Sequence, residues 1–263
     1  MNLIKPNLLK TGDTIGILAP SGAMGDDTNL KRAIIFFENK GFKIKLSDNI
    51  YSKKNYLAGS DEERLKELHN MFEDDEVNAI ICLRGGYGAI RIINDINYDL
   101  IRNNPKIFCG YSDITALNTM FLKKAGLKSY SGPMILSDFG QENLCEYTIS
   151  KFFDAVMQDK FDFEGTFWGG NLSTLVSLCG LDFIPDFKFI LFLEDLNEPK
   201  YKIDKMVTQL FNIEKIRKNT TSIAIGDFLG VEDFDYIFED LHIPIIKNFP
   251  VSHSEKKATI MIG

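Results

Sequence analysis

Residues 78–90 read NAIICLRGGYGAI, an apolar run of strand length that breaks into a glycine-rich corner. Such a run, bounded by turn residues, is the mark of a buried strand. Residues 106–117, KIFCGYSDITAL, repeat the arrangement. Working outward, Thr14–Ala19 reads as a third buried strand, ending in Pro20–Ser21–Gly22, and Lys43–Leu46 as a fourth. Between them, Asn29–Lys40 has helical spacing, with Leu30, Ala33, Ile34 and Phe37 on one face and Gly41 as the stop. Asp61–Phe72 is a second amphipathic helix with Leu65, Leu68 and Phe72 inward. Alternating strands and helices predict an α/β fold with a parallel sheet covered on both faces.

The pattern then changes. The stretch from Asp138 to Glu164 is polar and helical and reads as a connector with its own short helix. Beyond it, Phe189–Leu193, Ser222–Ile225 and Ala258–Ile262 are expected to be strands, with a helix at Lys202–Phe211. The expected division is therefore 1–137 for an α/β domain, 138–164 for the connector and 165–263 for a smaller mixed domain.

Composition narrows the function classes. The chain has 263 residues, 44% of them hydrophobic, and a net charge of −7. Acidic clusters at Glu73–Glu76 and Glu232–Asp240 read as a solvated surface, and no basic run supplies a nucleic-acid footprint. Cys82, Cys109, Cys145 and Cys179 occur singly, so no CxxC pair suggests zinc or redox chemistry. The opening MNLIKPNLLKTGD lacks a signal-peptide core, and no apolar stretch is long enough to span a bilayer. A cytoplasmic protein without membrane or nucleic-acid partners is the expectation.

In open α/β sheets, ligands sit beyond the carboxyl ends of the strands. Three strand ends here deliver Arg84–Ala89, Gly110–Asp113 and Glu194–Asp195: glycine-rich backbone, a hydroxyl and carboxylates. Ser112 lies behind a glycine at a strand–helix corner, as in a nucleophile elbow, although Ile114 stands where the second glycine belongs. The bland alternative is helix capping by Ser112 or Asp113. A serine nucleophile needs a base. His69 lies on an amphipathic helix, His242 sits between apolar neighbours as a half-buried structural residue, and His253 occupies a polar loop before the last strand. His253 is the best placed of the three, with a solvated loop residue as its bland alternative. Glu194 and Asp195 compete as the acid, and strand alternation sends them to opposite faces. The Arg84–Gly88 loop can hold an anion or act as an oxyanion hole, with the N–H of Gly86 joining that of Asp113. It matches neither the dinucleotide fingerprint nor a Walker motif.

These segments, in order, resemble the L,D-carboxypeptidase family of serine peptidases, which includes muramoyl-tetrapeptide carboxypeptidases and microcin-immunity proteins. The resemblance rests on LKTGDTIGILAPSG (9–22), the whole of 83–117, WGGNLSTLVSLCG (168–180), FLEDLNEPKYKIDKMVTQL (192–210) and FPVSHSEKKATIMIG (249–263). It implies Ser112 as nucleophile, Glu194 as triad acid, His253 as base, and Gly86 and Asp113 as oxyanion donors. It also implies a flavodoxin-like N-terminal domain, a smaller β-rich C-terminal domain, no metal or cofactor, and a homodimer. The implied reaction removes the terminal D-alanine from murein tetrapeptides during cytosolic peptidoglycan recycling. Separately from the resemblance, Arg84 flanks the glycine loop, and its planar fork makes it a candidate for the substrate carboxylate. Family chains usually run on past the final motif, and the segment from Glu194 to His253 is short here, so a more open cleft is expected. Two other readings stand beside this one. The same triad could cleave a peptidyl-nucleotide antibiotic, for which Trp168 is the sole tryptophan able to stack a base. A non-catalytic module could hold an anion on the glycine loop.

Overall fold

The computed structural model describes residues 2–263. The first half runs β1 (Thr14–Leu18), α1 (Thr28–Asn39), β2 (Lys43–Leu46), α2 (Asp61–Glu73), β3 (Val77–Cys82), α3 (Tyr98–Asn103), β4 (Ile107–Cys109), α4 (Thr115–Met120), β5 (Ser129–Ser131) and α5 (Glu146–Gln158). The second half adds β6 (Phe167–Asn171), α6 (Leu172–Ser177), β7 (Phe189–Leu196), α7 (Lys200–Phe211), α8 (Glu214–Asn219), β8 (Thr220–Leu229), α9 (Tyr236–Glu239), β9 (Ile245–Ile246) and β10 (Ile260–Ile262).

All ten strands join one sheet in the order β2-β1-β3-β4-β5-β10-β6-β7-β8-β9. Its first five strands have the flavodoxin-like order. Every pairing is parallel except β10 with β5, where Ile260 faces Ser131 and Ile262 faces Ser129. Side chains alternate across β3: Ala79 and Ile81 enter one core, while Ile80 and Cys82 enter the other. Helix α1 covers the first core through Leu30, Ala33 and Phe37, and α2 covers the second through Leu68, Met71 and Phe72. The serine before α2 makes a reciprocal cap: Glu63 N–H donates to Ser60 Oγ, and Ser60 N–H donates to Glu63 Oε2.

Four expectations need correction. The 138–164 stretch is more than a polar connector, because α5 buries Phe152, Ala155 and Val156 in the first core. Strand β7 extends to Leu196, so Glu194 and Asp195 lie within it rather than after it. The helix expected at the Ser112 corner is three short pieces, a 3-10 turn at Ser112–Ile114, α4, and a π turn at Phe121–Ala125. His242 is exposed with φ 53°, because Leu241 and Ile243 flank a tight turn rather than a buried segment.

Candidate active site

The chain reverses at the end of β4 through Gly110, Tyr111 and Ser112. Ser112 adopts φ 62°, a left-handed conformation that costs a residue with a Cβ roughly 1–3 kcal/mol. The turn holds that strain because its surroundings leave no slack. A Cβ on Gly110 would lie 2.9 Å from Ile114 Cγ2, so the isoleucine standing where an elbow wants glycine is accommodated by a glycine on the strand side. A Cβ on Gly85 would lie 2.8 Å from Ser112 Cβ and 2.9 Å from its Oγ. The glycine corner after β3 is therefore laid directly against the serine.

Asp113 does not cap its own helix. Its buried carboxylate accepts Ala89 N–H at 2.8 Å and Ser21 Oγ–H at 2.5 Å, tying the corners after β4, β3 and β1 together. Burial raises its pKa, while the hydrogen bonds from Ser21 and Ala89 oppose the rise. From the other side the fully buried Arg64 donates through Nη1 to the carbonyls of Pro20 and Gly88, both at 2.8 Å. The backbone of the glycine corner, with Gly86 at φ 114° and Gly88 at φ 141°, is thus fixed by a buried cation and a buried carboxylate.

The acid and the base meet from distant parts of the chain. Glu194 is 3% exposed, and its Oε2 lies 2.6 Å from His253 Nδ1. Burial pushes the Glu194 carboxyl above its ordinary value, and the bond to His253 opposes that rise. With Glu194 ionised, the imidazole proton resides on Nδ1 and leaves Nε2 as an acceptor. The adjacent Asp195 points elsewhere: it accepts from Asn171 Nδ2 at 2.9 Å and Ser173 N–H at 2.8 Å, anchoring the start of α6. The alternation of β7 therefore brings Glu194, and not Asp195, to His253.

Ser112 and His253 line one cavity of about 220 Å³ together with Arg84, Gly85, Gly86 and Ser137. Among the described residues no hydrogen bond joins Ser112 to His253. The imidazole instead rests edge-on against Tyr111, with ring centroids 5.1 Å apart. Arg84 is exposed at the cavity mouth and donates through Nη1 to Ala23 O at 3.2 Å. Arg91 makes a bidentate surface pair with Asp61 through Nε and Nη2. His69 Nε2 accepts Asn97 N–H at 3.0 Å, a structural bond. Trp168 is wholly buried against Phe183 and Phe189, so it presents no face to a nucleobase. Reasoning on sequence passed over Gly85, Tyr111 and a buried Lys257–Asp138 pair whose partners lie 119 positions apart. Among the described residues no group of three or more His, Cys, Asp or Glu side chains is placed to hold a metal, and no helix is long and apolar enough to cross a membrane.

Comparison with known proteins gives one answer along the whole chain. Residues 15–132 match the LD-carboxypeptidase N-terminal domain and residues 164–263 the LD-carboxypeptidase C-terminal domain. A probable murein peptide carboxypeptidase of Bacillus subtilis (strain 168) is 35% identical, over 98% of this chain and 89% of the relative. The crystal structure of a muramoyltetrapeptide carboxypeptidase from Oxalobacter formigenes superposes with a TM-score of 0.85 at 30% identity, covering 95% of this chain and 92% of that one. An MccF-like protein from Bacillus anthracis superposes with a TM-score of 0.90 at 30% identity, covering 98% and 94%. A serine at a strained corner, a glycine loop pressed against it and matches to both domains place the chain in the LD-carboxypeptidase family, as a serine carboxypeptidase.

Proposed function

We propose that Ser112, His253 and Glu194 act as a catalytic triad that removes the terminal D-alanine from murein tetrapeptides. The observation that carries this reading is the 2.6 Å contact of His253 Nδ1 with Glu194 Oε2, beside a cavity whose wall includes the left-handed Ser112. In the proposed cycle, Ser112 Oγ attacks the carbonyl carbon of the scissile bond and its proton passes to His253 Nε2. The N–H groups of Gly86 and Asp113 stabilise the oxyanion. Collapse breaks the C–N bond, and the departing D-alanine amine takes the proton from Nε2. Water, deprotonated by the same nitrogen, then hydrolyses the acyl-enzyme. Glu194 keeps the imidazole in the required tautomer and stabilises the imidazolium. Arg84, at the mouth, is proposed to hold the substrate's terminal carboxylate with its planar fork.

The murein substrate is supported by the names of the Bacillus subtilis and Oxalobacter relatives. A cytosolic, homodimeric enzyme accompanies the reading on the family resemblance. The antibiotic-cleaving alternative cannot draw on Trp168 as a platform for a base, because that side chain is buried. The test is mass spectrometry of murein tetrapeptide incubated with wild type and with Ser112→Ala. Loss of one D-alanine with wild type only is expected; an intact tetrapeptide with both would overturn the substrate assignment.

A further inference from the structure

His253 lies at the middle of 249–259, a stretch without helix or strand. At one end Phe249 N–H donates to Ile225 O, and Asp227 N–H donates to Val251 O, so the loop starts on β8. At the other end Ala258 N–H closes the loop on Pro250 O at 2.7 Å. Nothing in these backbone bonds fixes the loop relative to the nucleophile, which belongs to the other half of the chain.

Side chains do so. Lys257 is 3% exposed, and its ammonium bonds to Asp138 Oδ1, itself buried. The second oxygen of Asp138 accepts Met134 N–H at 2.9 Å and Ser137 Oγ–H at 2.8 Å, and both of those residues wall the Ser112 cavity. The same ammonium sits 4.7 Å from the centroid of the Tyr111 ring, and Tyr111 is the residue before Ser112. The edge-on contact of His253 is with that same ring. Helix α5 contributes Thr148, whose Oγ1 donates to Glu255 O at 2.6 Å and accepts Lys257 N–H at 2.9 Å. A buried ion pair is a poor source of stability, since well-packed apolar replacements are often neutral or better. A pair in this place has a different use.

We propose that Lys257 and Asp138 are positioning residues that latch the histidine loop to the cavity wall and, through Tyr111, hold the imidazole in register with Ser112. The inference rests on His253 being the base. Removing the latch should leave binding alone and weaken proton transfer, because small misplacements of a catalytic group are felt mainly in kcat.

The double variant Lys257→Met/Asp138→Asn removes both charges without stranding either. It should fold with a wild-type Tm, keep KM, and lose about 10–100-fold in kcat. Its labelling by a fluorophosphonate, which needs no murein substrate, should slow by the same factor. Lys257→Arg, which keeps a cation over Tyr111 and a donor to Asp138, should recover most of the rate. A folded double variant with wild-type kcat and labelling would overturn the latch, as would a rise in KM at unchanged kcat. His253→Ala, run alongside, separates the two readings. Labelling lost there but intact in the double variant sinks the latch alone. Full labelling of His253→Ala sinks the base assignment and the latch with it.

Discussion

Ser112 at φ 62° and Glu194 at 3% exposure are the two residues whose local cost is hardest to explain without chemistry. Strain and buried charge of this kind persist where the surroundings over-determine them, and they cluster at working sites. Under the proposed mechanism Ser112→Ala and His253→Ala should each lower kcat by roughly 10⁴–10⁶, since triad members act as a unit. Steady-state kinetics on the tetrapeptide checks this, and residual activity within tenfold of wild type would end the triad. Glu194 links activity to stability. Because burial raises its pKa, the folded chain holds that proton to higher pH than the unfolded chain does. Raising the pH through that window ionises the unfolded chain first and costs stability, a loss complete above the folded pKa. Glu194→Gln removes the titration. At neutral pH its Tm should match or exceed that of wild type, with the gap narrowing toward acid pH, while kcat falls by roughly 10³–10⁴. A Tm several degrees below wild type at neutral pH would show instead that the carboxylate is held as a fully compensated ion.

At the scale of elements, the site is a meeting of strand ends, and its tolerances are backbone tolerances. The corner after β3 approaches Ser112 so closely that Gly85→Ala would put a Cβ 2.8 Å from the serine Cβ, a separation the packing does not allow. One of the two corners must move. The Arg64 and Asp113 bonds hold the remainder of the glycine loop, so the displacement falls on Ser112 and on the backbone donors. Gly85→Ala should therefore fold, keep its far-ultraviolet circular dichroism, and lose at least about 10² in kcat, the scale of a misplaced oxyanion donor. Near-normal turnover would show that the corner is softer than its contacts imply. At the next strand end, alternation along β7 separates Glu194 from Asp195. That opposition is legible from period two, whereas which of the two faces the histidine is not in the periodicity and comes from the family resemblance alone.

For the molecule as a whole, the continuous sheet makes a claim about cooperativity. The proposed division into 1–137 and 165–263 parts the sheet after β5, yet β10 from the far end of the chain fills that junction, antiparallel to β5 and parallel to β6. Each half thus completes the other's edge, and unfolding one exposes the other. Trp168 reports on the second half, and Cys82 and Cys109, both fully buried, report on the first. Tryptophan emission and the reactivity of those two thiols should change at one denaturant midpoint, with only Cys145 and Cys179 available beforehand. Two separated midpoints would show that the halves unfold as independent domains.

By itself the sequence determined the strand and helix alternation, the glycine corners at 84–88 and 110–112, and the short set of residues from which a site could be built. These are signals of periodicity and turn chemistry, written within a dozen or so neighbouring residues and readable there. Tertiary structure decided the rest. It brought Glu194 rather than Asp195 to His253 across 59 positions, buried Trp168, exposed His242, turned Asp113 to the neighbouring corner, and paired Lys257 with Asp138 across 119. Contacts of that reach depend on the order in which strands enter the sheet and on where β10 returns, and neither leaves a local trace in the chain.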